Sequence, residues 1–216
     1  MKNIFLRFLS HKIVLYFSSA VLLSLSFPKT NWSFLVWVAL VPLLMALDGK
    51  RRGESFCIGY FCGFLFFAMT LYWFVFVTAL GAGLLFFYFA VYFGIFALGV
   101  FWLSGNSLCV KIFSIPALWV GLEYARAHLL SGFGWVSLGY SQYQNLWLIQ
   151  IADHTGVYGV SFLIVMVNVL VSEALGFSLG RGSVKSKKEL CGAFVIVFVL
   201  MSVSIGYSAY QLSQNI

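Results

Sequence analysis

The run LLFFYFAVYFGIFALGVFWLS, residues 84–104, decides the fold: twenty-one successive residues carry no charged side chain. The hydrocarbon core of a bilayer takes about 20 apolar residues of helix. Working outward, similar runs occur at 12–27, 32–47 and 56–79 before it, and at 112–130, 157–177 and 190–210 after it. They hold too few alternating polar positions for a barrel strand, so helices are expected. Composition agrees. Of 216 residues, 62% are hydrophobic and 9% charged, where a soluble domain carries about 25% charged residues. A soluble fold of this size leaves roughly a third of its chain facing water and could not hide so much apolar surface. The expectation is an all-α integral membrane protein: one membrane domain over residues 1–216, a polytopic bundle of about seven transmembrane helices, with an outer-face interfacial segment near 131–155.

Phe27-Pro28-Lys29-Thr30-Asn31 separates the first two short runs, and proline, asparagine and a charge together mark a turn. The first run has a basic start, as a secretory signal would, but no small-x-small cleavage site follows it, so a retained helix is expected. Lys and Arg then orient the chain. With a cytoplasmic N-terminus, the inside segments hold Lys2, Arg7, Lys12, Lys50, Arg51, Arg52, Lys111, Arg181, Lys185, Lys187 and Lys188. Outside stands Lys29, and Arg126 lies within a span. Seven spans place the C-terminus, and residues 211–216, outside. The net charge of +7 is then a topology signal and a surface for anionic head groups. Its scatter over short loops argues against nucleic acid as a partner. Cys57, Cys62, Cys109 and Cys191 show no metal spacing and are read as small apolar packers. No phosphate-cradling loop appears, and no cofactor is expected.

The rarest residue types gather at 122–144, LEYARAHLLSGFGWVSLGYSQYQ. Glu123 and Arg126 stand at i,i+3 on one helix face, four residues beyond Trp119, and are expected to pair. A charge in a membrane helix costs at least ~2.5 kcal/mol, so a pair there is either a structural lock or a site where Arg126 meets a lipid phosphate. His128 reads as an interfacial polar residue. Gly132 and Gly134 end the helix, Phe133 and Trp135 suit the interface belt, and Tyr140, Ser141 and Gln142 form a hydrogen-bonding turn. Gln150 lies in a half-apolar segment, 145–155, expected along the outer interface. Tyr158, Ser161, Asn168 and Ser172 share a helical stripe, read as a buried interhelical hydrogen-bond seam. Gly59 and Gly63 form a GxxxG packing cue.

These residues carry a resemblance. Pro116-Ala117-Leu118-Trp119, Glu123, Arg126, Gly132-Phe133-Gly134-Trp135, Leu138-Gly139-Tyr140-Ser141-Gln142, Leu148-Ile149-Gln150-Ile151-Ala152, Gly156-Val157-Tyr158-Gly159-Val160-Ser161-Phe162 and Asn168 together resemble the membrane domain of apolipoprotein N-acyltransferases. Leu25-Ser26-Phe27-Pro28, the segment from Trp37 to Leu44 and Tyr72-Trp73 agree. The family usually has Pro where this chain has Gly134. The resemblance implies phospholipid as acyl donor and a diacylated lipoprotein as acceptor. It also implies an extracytoplasmic nitrilase-like domain with a Glu-Lys-Cys triad following the seventh span. The chain stops at Ile216, where that domain would begin, and no cysteine here is placed for that role. The expectation is therefore a membrane portion supplying lipid access and docking, inactive alone, with catalysis either supplied by a separate nitrilase-like subunit or lost. A membrane scaffold or lipid- and partner-binding protein derived from the same fold is the alternative. Glu123, Arg126, Trp135, Tyr140, Ser141, Gln142 and Gln150 are the candidate lipid-binding or cavity-lining residues, and none is expected to be catalytic.

Overall fold

A computed structural model of the chain describes residues 2–28, 30–130, 132–180, 184 and 186–214, with side chains from residue 13 onward. Lys29, Ser131, Arg181, Lys185 and Ile216, and the side chains of Lys2, Arg7 and Lys12, all used in the sequence reading, lie outside the described residues. The elements in order are α1 (Lys2–Leu25), a 3-10 turn (Ser33–Leu35), α2 (Val36–Ala39), α3 (Val41–Leu47), α4 (Arg52–Thr70), a 3-10 turn (Tyr72–Phe76) and α5 (Ala79–Leu103). Then come α6 (Leu108–His128), a 3-10 turn (Leu138–Gln142), α7 (Leu146–Ile149), α8 (Ala152–Ser178) and α9 (Lys187–Gln214). The described residues contain no strand.

Among the described residues five helices, α4, α5, α6, α8 and α9, are long and apolar enough to cross a membrane. The first two expected spans correspond to shorter apolar helices, Ile13–Leu25 and Ser33–Leu47. One end of the bundle collects Lys50, Arg51, Arg52, Lys111, Lys187 and Lys188 and is called here the basic end. The other collects Trp73, Trp135 and Tyr140 and is called the aromatic end.

The third expected span, 56–79, is corrected. Its helix is α4, and residues 71–78 form a connection containing the 3-10 turn. Nineteen residues of α4 already rise roughly 28 Å at 1.5 Å per residue, enough for the hydrocarbon core. Thr78 then starts α5: its backbone is extended and its hydroxyl accepts the Gly81 N–H at 3.3 Å, an N-cap. Apolar composition runs through this break, so hydropathy does not register it. Lys111, expected in a loop, belongs instead to the first turn of α6, where it is buried and its ammonium donates to Glu173 Oε1 of α8 at 2.7 Å.

Small residues and rings set the packing. Gly59 and Gly63 of α4 face Phe93 and Ala97 of α5 so closely that a Cβ on either would collide with them. The GxxxG reading holds, with the close approach made to α5. Against this hairpin Phe66, Phe67, Phe93, Phe96 and Trp119 form a continuous aromatic core, with Phe96 and Trp119 edge-to-face at 4.7 Å. Pro42, within the first turn of α3, cannot donate a backbone hydrogen bond, and the helix is interrupted at Leu40. In a membrane those freed groups need protein partners. Asn168 supplies them: Leu40 N–H donates to its Oδ1 at 2.8 Å, and its Nδ2 donates to Val36 O at 2.9 Å. Ser19 donates to Ala39 O from the other side. Asn168 and Ser161 are both fully buried in hydrogen bonds to other segments, so the seam reading holds for these two.

α9 sits at the periphery. Most of its length is outward-facing, with Ala193, Val197, Ser204 and Ser208 buried. Polar contacts tie both its ends: Leu108 N–H donates to Glu189 Oε1 at 2.8 Å, and Tyr207 OH donates to Asp153 Oδ2 at 2.6 Å. Of the cysteines only Cys62 is buried; Cys57, Cys109 and Cys191 are exposed. The packer reading is thus corrected for those three, which lie on outward helix faces.

Candidate functional site

The chain between α6 and α8 is more than an interfacial strip. It enters the bundle: Ser137, Leu138, Ser141, Gln142 and Leu148 are all buried. Gly139 lies against the Val157 carbonyl, where a Cβ would not fit, and its N–H donates to Ser161 Oγ at 2.9 Å. The segment ends at Gly156, whose φ of 62° breaks α8 one residue before the expected start of the sixth span. Leu130 and Val136 also adopt positive φ, 55° and 63°. For a β-branched residue this conformation is an outlier that the surroundings must impose.

Glu123 and Arg126 hold the backbone on both sides of Val136. They share a face of α6 and are both nearly inaccessible, but their charged groups do not come within ion-pair distance. The expected direct pair is corrected. Each side chain is drawn to backbone that a one-dimensional reading cannot bring there. Glu123 Oε1 accepts from Trp119 Nε1 at 2.8 Å and from Leu138 N–H at 2.7 Å. Arg126 Nη1 donates to Phe133 O at 3.1 Å and also to Trp135 O, and Nη2 donates to Ser137 Oγ at 3.4 Å. Its guanidinium lies between the rings of Phe67 and Phe89, 5.5 and 5.7 Å from their centroids. Carboxylate and guanidinium therefore clamp the 133–138 loop, one on an amide N–H and the other on carbonyls. Three acceptors on the loop and the two rings thus surround the Arg126 guanidinium.

The loop carries Trp135 and Tyr140 to the wall of a cavity of about 970 Å³ at the aromatic end. α1 contributes Val21, Ser24 and Leu25; the end of α4 and the following turn contribute Met69, Thr70, Leu71, Tyr72 and Trp73. Trp73 and Trp135 face each other at 5.5 Å. No charged residue lines the cavity among the described residues; its polar groups are hydroxyls, such as Thr70 and Ser24, 3.2 Å apart. Such a surface solvates hydrocarbon.

Of the seven candidate residues, Trp135 and Tyr140 line this cavity, and Glu123 and Arg126 stand behind it as loop anchors. Ser141 and Gln142 are buried: the Ser141 hydroxyl donates to Leu138 O at 2.7 Å and Gln142 Nε2 donates to Ser33 O at 2.8 Å. They join the loop to the start of the second hydrophobic run and do not line the cavity. Gln150 donates locally to Leu146 O at 3.3 Å and is not brought to the group. His128 stacks on Tyr124 at 4.0 Å, in keeping with an interfacial role. Ser24, Thr70 and Met69 were missed in the sequence, because they sit in plain apolar runs and only the packing of α1 on α4 brings them together.

Fold and site define a class: a polytopic helical membrane protein with an aromatic-walled cavity at one end, bordered by a loop that charged residues hold inside the bundle. Residues 19–170 match the family described as "Apolipoprotein N-acyltransferase N-terminal domain". Apolipoprotein N-acyltransferases of Geobacter metallireducens (40% identical over 206 residues, 90% of this chain and 39% of the relative) and Chlorobaculum tepidum (34% over 170 residues, 76% and 32%) are among its relatives. That of Gloeobacter violaceus is 32% identical over 178 residues, 70% of this chain and 32% of the relative. The chain thus belongs to the apolipoprotein N-acyltransferase family and spans between 32% and 39% of the length of these relatives.

Proposed function

We propose that this chain is the membrane portion of an apolipoprotein N-acyltransferase. In that reaction a phospholipid acyl chain passes first to a cysteine thiol as a thioester. It then passes to the α-amino group of the diacylglyceryl-cysteine at a lipoprotein's N-terminus. A nitrilase-like catalytic unit, on the same polypeptide or a separate one, supplies the cysteine. This chain supplies the place where acyl chains leave the bilayer. In this reading both short N-terminal helices also cross, giving seven spans in the bacterial inner membrane, with the basic end and N-terminus cytoplasmic and the aromatic end extracytoplasmic.

The observation that carries the reading is the cavity of about 970 Å³, apolar and hydroxyl-lined among the described residues, with its Trp73–Trp135 wall. Each methylene moved out of water there is worth ~0.8 kcal/mol, while the exposed rim leaves the polar ends of a lipid in water. The test is a filled cavity. Ser24→Phe places a ring into the space without touching the loop clamp. Binding of a phospholipid and of a diacylated lipopeptide to the purified chain is measured for both proteins. The reading expects at least a tenfold loss of both with the thermal transition unchanged; wild-type binding of both ligands by the filled variant refutes it.

A further inference from the structure

Glu123 keeps one oxygen outside the loop clamp. Its Oε1 takes the bonds from Trp119 Nε1 and Leu138 N–H, and the Ser161 hydroxyl beside the carboxylate accepts the Gly139 N–H. Its Oε2 is buried and has no hydrogen-bond partner among the described residues. Native structures rarely leave a buried polar atom in that state, and inside a bilayer bulk water does not supply the bond. Arg126 stands one helical turn away with matching capacity. A guanidinium carries five N–H donors, and the loop receives three bonds from this one.

The two side chains meet at a small cavity of about 20 Å³. Its apolar walls include Phe66, Phe93, Phe96 and Trp119, and its polar groups come from Glu123, Arg126 and Tyr92. Val136 borders both this pocket and the aromatic-end cavity, so one strained residue of the clamped loop touches the two. A buried water needs about 10–15 Å³ of such space and two to four polar partners. The pocket meets both conditions for one water and is too small for a head group or an acyl chain.

We propose that this pocket is the binding site of a single water molecule that bridges Glu123 Oε2 and the Arg126 guanidinium. The water donates to Oε2 and accepts from an Arg126 N–H. Its second hydrogen faces the Tyr92 hydroxyl, which can accept it while donating to Tyr88, 2.6 Å away. A bridging water is enthalpically nearly as good as a direct hydrogen bond. The two charges, too far apart for a direct ion pair, are thus joined through it, and the anchors on either side of Val136 act as one unit. The site requires neither acyl transfer nor any occupant of the aromatic-end cavity.

The test is radiolytic footprinting of the full chain in detergent. A short X-ray pulse makes hydroxyl radicals from bound as well as bulk water, so a buried side chain is oxidised where a water lies against it. Trp119 and Phe96 line the pocket and are 6% and 0% exposed; Met166, also 0% exposed, lines neither cavity and is the control. Corrected for intrinsic reactivity, oxidation of Trp119 and Phe96 is expected to exceed that of Met166 by roughly tenfold, and to fall roughly tenfold in Glu123→Leu, which removes the acceptor. Oxidation of both aromatic residues at the Met166 level would overturn the proposal, as would Trp119 oxidation unchanged in folded Glu123→Leu. Infrared difference spectra of wild type against the isosteric Glu123→Gln cover the case in which the leucine variant does not fold. They should show a carboxylate band lost in the variant; loss of a protonated-acid carbonyl band instead would mean that Oε2 carries its own proton, and would overturn the bridge.

Discussion

Arg126→Ala removes one arm of the loop clamp, and its cost can be worked from the contacts. Two backbone carbonyls, of Phe133 and Trp135, and the Ser137 hydroxyl lose their donor. A buried acceptor left unsatisfied costs about 1–3 kcal/mol. Polar contacts between membrane helices have measured nearer 0.6 than 2 kcal/mol, and the rim side of the loop can admit water. The sum over the two carbonyls is therefore expected at about 2–4 kcal/mol. Glu123 Oε1 retains Trp119 and Leu138, but its Oε2 is buried without a hydrogen-bond partner, so loss of the nearby cation places the result toward the upper end of that range. Arg126→Lys keeps the charge and stem but offers a single nitrogen in place of the planar fork, so it should recover about half the loss. Thermal unfolding of the purified chain in detergent reads the stabilities, and the Trp135 share of the emission, taken as the difference from Trp135→Phe, reads whether the cavity wall has moved. At roughly 2–4 °C per kcal/mol for a chain of this size, Arg126→Ala should lower the transition by about 4–16 °C and shift the emission. Arg126→Lys indistinguishable from wild type would refute the two-carbonyl account, since a single ammonium cannot reproduce the fork. A loss from Arg126→Ala restored by adding Glu123→Ala would refute the separate anchors and reinstate a direct pair.

Asn168→Leu should cost about 2–4 kcal/mol, because the Leu40 N–H and the Val36 carbonyl at the helix break lose their partner inside the bilayer; a loss under 1 kcal/mol in the same unfolding assay would mean that the break finds other partners. Gly63→Val should cost about 1–3 kcal/mol by overpacking against the Phe93 ring, whereas Gly53→Ala, at a position with nothing nearby, should be neutral; equal effects would refute the close α4–α5 approach. Reporter fusions after Lys188 and after Gln214 should report opposite sides of the membrane, because α9 is of spanning length; the same side for both would exclude that crossing.

Helix placement was legible where composition changes sharply. The all-helical membrane class follows from apolar runs longer than any soluble core needs, and the start read for the sixth run, residue 157, falls one residue past the break at Gly156. The end of α4 was not legible: residues 71–78 are as apolar as the helix before them, and of the two boundaries only the start of α5 carries a polar cap, Thr78. Glu123, Arg126 and the 131–142 loop stand out in the sequence because charges and glycines are rare in such a chain. Their partnership is different from the one their spacing suggests. Spacing along a helix reports which side chains share a face, and it cannot report that a loop folds back to offer its own amides and carbonyls to that face. The Lys111–Glu173 contact, 62 positions apart, and the cavity wall of Ser24, Thr70 and Trp135 are decided in the same way. Hydrophobicity is a local property of the chain and can be read along it, whereas polar groups inside a membrane choose partners by proximity in three dimensions, because there is no water there to satisfy them instead.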